Sequence, residues 1–287
     1  MISVPNIIFK FLSVLFFLIT INNNTLFSQN SNQKNTEDIF INMETSLGLI
    51  TIMLYDKTPL HKSNFLKLVD EGFYSGVKFH RVIKGFMAQA GDPNSKNNDF
   101  TGQLGQKSHG ETIPAEFYPE YIHKKGALSA ARTGDNINPE KKSSGSQFYL
   151  VQGKPYSKIQ LNQMEQKINQ QQENNIIGQF LKKTENNHYM EKIQYCQQNR
   201  LNDSLNILIQ EIKSLVINEE HIKFSFSEKA IEAYTTVGGT PFLDNGYTVF
   251  GEVIKGLEII DKICSVPTLA GDIPENPVTI ISTKIIK

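Results

Sequence analysis

A mainly β, antiparallel architecture with few helices is the fold class that the sequence predicts, and three observations predict it. Apolar and polar residues alternate in several short runs, those runs are separated by Gly, Asn and Pro, and only two short helical patterns lie among them. Alternation marks a half-buried strand because successive side chains leave opposite faces, and many short strands divided by turn residues favour a barrel.

The elements follow in order along the 287 residues, a length that allows one large or two ordinary domains. Lys10 precedes an uncharged apolar run over 11–21, and small Ser28 stands at a candidate cleavage position. This reads as a secretory signal peptide over 1–28, since a spanning helix requires about 20 apolar residues; an uncleaved anchor is the alternative. A polar linker covers 29–38. Ile39, Ile41 and Met43 alternate, "TSLG" turns, and Ile50, Ile52 and Leu54 alternate again, which is a hairpin. Thr58 and Pro59 supply an N-cap and a first helical position; Phe65, Leu66 and Val69 make an apolar face, and Gly72 sits where a C-cap belongs. "GALSAAR" and "SQFYLVQG" read as further strands. Near the end, "YTVFGEV" is a strand, "IKGLEIIDKI" a second short helix and "PVTIISTKIIK" a closing strand.

Residues 156–236 have a different texture. They contain no proline and only Gly178, and apolar positions recur at helical intervals, as in Leu161, Met164 and Ile168 or Leu205, Leu208, Ile212 and Leu215. Two to four helices are expected, inserted between a first β part over 39–155 and a second over 237–287. The insertion is either a partner-binding, chaperone-like arm or a surface elaboration packed on the β part.

Composition removes several functions. Lys plus Arg equals Asp plus Glu, 29 against 29, so no field of one sign points to nucleic acid, and a membrane enters only if the N-terminal segment is uncleaved. The six histidines form no metal-ligand spacing, "GDPNSKNNDFTGQLGQ" lacks the Lys-Ser/Thr of a phosphate loop, and Ser146 lacks the second glycine of a nucleophile elbow. No metal and no cofactor are expected. Cys196 and Cys264 are too few for a disulfide scaffold and read as packing residues, although an exported protein could pair them.

The stretch "FHRVIKGFMAQAGDP" over 79–93 sets Arg81 among apolar and aromatic residues. Its plain reading is a strand with Phe79, Val82, Ile83 and Phe86 in a core and Arg81 on the rim. Together with "GSQFYLVQG" and "TPFLDNGYTVFGEVIKGL", in this order, it resembles the signature blocks of the cyclophilin family of peptidyl-prolyl cis/trans isomerases. The resemblance covers 39–155 and 237–287. It implies a closed eight-stranded antiparallel barrel capped by two helices, with a substrate groove on one outer face. It also implies that Arg81 is catalytic and that Phe86, Met87, Gln89, Ala131, Arg132, Gln147, Tyr149, Phe242, Leu243 and Tyr247 bind substrate. The chain departs from well-known members at four of these positions: Tyr149 stands for phenylalanine, Arg132 for asparagine, Phe242 for tryptophan and Tyr247 for histidine. The tryptophan donates its ring N–H to the cyclic peptide inhibitor cyclosporin, so weaker cyclosporin binding is expected here.

The chemistry suits these residue types. Rotation about an amide bond is opposed by about 18–20 kcal/mol of resonance, and no bond breaks, so no nucleophile is needed. A permanent cation with several donors favours the twisted state, in which the proline nitrogen regains its lone pair. The expected function is an exported, periplasmic isomerase acting on proline-containing peptides and folding proteins; the alternative is a groove-bearing binding module with little catalysis. All the groove residues lie outside 156–236, so the groove is expected to work without the insertion.

Overall fold

The computed structural model describes residues 39–217 and 223–286. The expected signal peptide and linker, over 1–38, lie outside the described residues. β1 (Phe40–Thr45) and β2 (Gly48–Leu54) form the expected hairpin, with Thr45 opposite Gly48, and bury Ile41, Met43, Ile50, Ile52 and Leu54. α1 (Pro59–Asp70) starts on Pro59 and buries Phe65, Leu68 and Val69. Thr58 is its N-cap residue, but the expected cap bond is not made; the Thr58 hydroxyl donates to Tyr55 O at 3.2 Å instead. Glu116, from far along the chain, accepts from Leu60 N at 3.1 Å and His61 N at 3.0 Å. A carboxylate there satisfies two orphan donors at the positive end of the helix. Gly72, two residues past the helix, takes φ +66°, the left-handed conformation that glycine reaches without strain.

β3 (Arg81–Ile83), β4 (Met87–Ala90), β5 (Ala127–Ala130) and β6 (Phe148–Val151) follow. The helical insertion is α2 (Lys158–Leu181), α3 (Asn187–Gln198), α4 (Asn202–Val216) and α5 (Glu228–Thr236). β7 (Val249–Lys255), α6 (Leu257–Ile263), β8 (Thr268–Leu269), β9 (Ile273–Pro274) and β10 (Ile280–Ile286) complete the chain. Eight strands make one antiparallel sheet in the order β10-β1-β2-β7-β5-β6-β4-β3, and β8–β9 is a separate small hairpin. The sheet curls around a core of its inward side chains, to which α1 adds Phe65 and α6 adds Ile259, Ile260 and Ile263.

The expected closed barrel is corrected in one respect. β3 and β10 are the two ends of the ladder and are not laddered to each other. β3 is only three residues long, and the hairpin turn lies beside it, with Val82 N donating to Asp272 O at 2.8 Å. The backbone of 76–79, ahead of β3, approaches β10 instead: Gly76 N donates to Ile280 O, Ile280 N to Val77 O and Phe79 N to Val278 O, at 2.8, 2.8 and 2.9 Å.

The described residues form one unit, with the insertion included. α2 opens on a capping box between Ser157 and Gln160. Its Leu161 packs with Tyr156, Phe226, Ala230 and Tyr234, against Ile122 of the β part. Farther out, Ile193, Leu208 and Ile212 make a small second cluster with Phe180 and Tyr189. Cys196 in α3 and Cys264 after α6 are buried and unbridged. Among the described residues no helix is long and apolar enough to cross a membrane.

Candidate active site

Strand alternation gives the sheet two apolar faces. Val82, Ala88, Ala90, Leu128, Ala130, Phe148 and Leu150 point into the main core. The residues between them point outward, and Met87, Ala127, Ala131, Tyr149 and Val151 form a second cluster against which Phe86, Leu243 and Tyr247 pack. Register then sets a row across this outer face: Arg81 pairs with Gln89, Gln89 with Tyr149, and Tyr149 with Ser129. Neighbouring strands run about 4.8 Å apart, so a cation, an amide and an aromatic ring stand side by side.

The row borders a cleft of about 100 Å³ lined by Arg81, Phe86, Met87, Gln89, Ala131, Arg132, Tyr149, Leu243 and Tyr247. That is room for about three waters, or one small ring. The structure therefore brings together the residues singled out from the sequence, except Gln147 and Phe242. Gln147 is buried beside a neighbouring cleft of about 530 Å³. Its Nε2 donates to Gly105 O at 3.0 Å and Lys107 O at 2.9 Å, and its Oε1 accepts from Gln89 Nε2 at 2.9 Å. Its polar atoms are thus engaged in holding Gln89, because the loop over 105–107 folds onto it. Asp92 organises that loop by accepting from Asn94 N, Gly105 N and Lys107 N. Phe242 is 57% exposed at the rim, with its ring 5.6 Å from that of Phe86.

Arg81 is half-exposed, as the plain rim reading has it, and its Nε donates to Asp272 Oδ2 at 3.3 Å. Asp272, in the β8–β9 turn at φ +62°, was not singled out from the sequence, since nothing local marks a partner so far along the chain. Arg132 is held rigidly. Its Nε donates to Gly246 O at 2.7 Å and its Nη1 to Thr133 O at 2.9 Å, Asp135 pairs with it at 2.7 Å, and its guanidinium lies 4.5 Å from the centre of the Tyr247 ring. Behind the cleft, Tyr149 reaches His123 Nε2 at 3.0 Å, and burial keeps its hydroxyl well above the ordinary tyrosine range. His80, next to Arg81, is buried; desolvation with help from the Arg81 charge pushes it down to about 4 against the pull of Asp92. It is a neutral packed residue, and the cleft pairs no nucleophile with a base.

A profile of the cyclophilin type peptidyl-prolyl cis-trans isomerase/CLD family matches residues 40–214 and 222–285. The chain belongs to this cyclophilin family. A Staphylococcus saprophyticus protein provisionally named peptidyl-prolyl cis-trans isomerase is 28% identical over 264 residues, covering 92% of this chain and 100% of the relative. A Streptococcus pyogenes protein provisionally named bifunctional phosphatase/peptidyl-prolyl cis-trans isomerase is 30% identical over 250 residues, which are 85% of this chain and 38% of that one. Among solved structures, a Cryptosporidium parvum cyclophilin type peptidyl-prolyl cis-trans isomerase matches with a TM-score of 0.50 at 20% identity, over 87% of this chain and 98% of that one. The match runs through most of the helical insertion, so the family profile does not break at 156. In this cyclophilin two of the four departures meet: Arg132 and Tyr247 stack on each other. A cation over an aromatic face contributes about 0.5–2 kcal/mol, so each residue makes sense of the other.

Proposed function

We propose that this isomerase acts on exported proteins as they fold, with Arg81 as its catalytic residue and the cleft beside it as the proline pocket. The observation that carries the reading is the row of Arg81, Gln89 and Tyr149 bordering an apolar cleft of about 100 Å³. Phe86, Met87, Leu243 and Tyr149 grip the proline ring, and Gln89, held by Gln147, binds the flanking peptide. With the ring fixed, rotation falls on the residue before it. Arg81 hydrogen-bonds near the proline nitrogen as its lone pair returns; each 1.36 kcal/mol gained only in that twisted state is about tenfold in rate. The test is exchange of an X-Pro peptide followed by NMR: catalytic amounts of the wild-type protein accelerate it, and an unchanged exchange rate overturns the reading.

A client-holding role has one observation in its favour. A groove between α3 and α4 exposes Tyr195 and Ile207, apolar surface that catalysis does not use. Client holding that survives Arg81→Ala separates this reading from the first.

Export to a periplasm rests on the pattern over 1–28. The mature chain is expected to begin near Gln29; N-terminal sequencing that finds Met1 retained turns the segment into an anchor instead. Phe242 bears on cyclosporin: phenylalanine keeps apolar area but has no donor. A net hydrogen bond contributes about 0.5–1.5 kcal/mol, and the exposed rim position lets water serve an inhibitor carbonyl left unpaired. Phe242→Trp is therefore expected to tighten cyclosporin inhibition by about two- to tenfold. Unchanged inhibition in a side-by-side titration removes Phe242 from the binding face.

A further inference from the structure

Behind the cleft lies a buried polar chain that the twisting of proline does not use, and one end of it belongs to the helical insertion. Asp244, directly after Leu243, accepts at Oδ1 from the backbone N–H of His123 at 2.9 Å, and the His123 ring Nδ1 lies 2.8 Å from the same oxygen. Its Oδ2 accepts from the hydroxyl of Tyr234 at 2.6 Å. His123 Nε2 lies 3.0 Å from the Tyr149 hydroxyl, and His123 and Tyr234 are wholly buried. A carboxylate only accepts, so the His123 proton is on Nδ1; in the neutral ring Nε2 is then the acceptor and Tyr149 the donor. With the ring neutral, the bonds run from Tyr149 to His123 to Asp244, and Tyr234 donates to the other oxygen of the same carboxylate.

We propose that Tyr234, on α5, is a positioning residue for the proline pocket, holding Tyr149 through His123 and Leu243 through its neighbour Asp244. The inference rests on the isomerase reading of the cleft and names a support for it that the substrate never touches. Two further contacts make the support stiff. Tyr156 N, soon after β6, donates to Tyr234 O at 2.9 Å. Gly239 lies between the two halves: a Cβ there would stand 2.2 Å from His123 O and 2.6 Å from the Tyr234 ring, so only glycine fits. Tyr234 is the one donor to Asp244 Oδ2 among the described residues. Without its hydroxyl, a mostly buried carboxylate oxygen has to turn to find another donor. That turn moves the His123 ring and the 243–244 backbone, and with them two walls of the pocket. Cutting out 156–236 removes Tyr234, so the expectation that the groove works without the insertion does not follow.

The experiment compares X-Pro isomerisation by the full chain and by Tyr234→Phe, well below the melting temperature. The variant is expected to lose about three- to tenfold in kcat/KM. The loss falls on KM while kcat holds, because ring binding weakens and Arg81 is untouched. A role in stability alone moves Tm and leaves KM unchanged, and that result overturns the proposal. The tautomer of His123 in the wild type, read from its ring nitrogens by NMR, is an independent measurement if Tyr234→Phe fails to fold: a proton on Nε2 overturns the chain of bonds. A wild type without isomerase activity overturns the isomerase reading itself, and the tautomer is still measured on that sample.

Discussion

Arg81→Ala is expected to lower kcat/KM for X-Pro isomerisation by about 10²–10³-fold, the usual cost of removing one donor aimed at charge that develops only in the transition state. The fold should barely notice. Arg81 is 44% exposed and its partner Asp272 43%, and surface pairs of this kind contribute about 0–1 kcal/mol. For a chain of this size that is a shift in Tm of no more than about 2–4 °C. Arg81→Lys should recover little, because an ammonium lacks the planar fork that the proposed contact with the proline nitrogen and the neighbouring carbonyl calls for. Activity and calorimetry on the same samples decide the matter, and a fully active Arg81→Ala removes this side chain from the mechanism.

The second large effect is acid lability, and its source is His80. Its folded value of about 4 lies well below the ordinary 6.5. Above 6.5 both folded and unfolded chains carry a neutral ring, so the group has no influence on stability. Between 6.5 and 4 the unfolded chain takes up a proton that the folded chain refuses, so stability falls as the pH falls. At 1.36 kcal/mol per unit, the full window amounts to roughly 3 kcal/mol. His61, also lowered by burial although Glu116 opposes the effect, adds to the same trend. The clean measurement is therefore a difference. Denaturant unfolding of wild type and His80→Gln at pH 7 and pH 4 should show a smaller loss in the variant, by roughly 3 kcal/mol. Parallel losses would mean that His80 charges freely in the fold.

Much of the fold could be read locally. The first hairpin was visible in the alternation of Ile41 and Met43 with Ile50 and Ile52, and α1 in Pro59, Phe65, Val69 and Gly72. Arg81, Met87 and Gln89 were legible as a group because β3 and β4 are adjacent in sequence and alternation puts all three on one face. What was not legible depends on distant partners. Thr58 has the right identity for a cap, yet Glu116 does the work. Gln147 is a substrate-binding residue by resemblance, and no sign in the sequence shows that the loop held by Asp92 folds onto it. Asp272, His123, Asp244 and Tyr234 carry no local pattern, and only the tertiary fold joins them. The expectation of a closed barrel came from resemblance; a β3 three residues long leaves the ladder open at that edge.

Arg81 meets Asp272 across 191 residues, and His123 meets Asp244 across 121. α3 and α4 are instead neighbours in sequence that share Ile193, Leu208 and Ile212. Local helical contacts form early, whereas long-range strand pairing waits on loop closure. As the chain is delivered from its N-terminus, the insertion soon has its partners at hand, but β1 has no β10, and Arg81 no Asp272, until the last residues emerge.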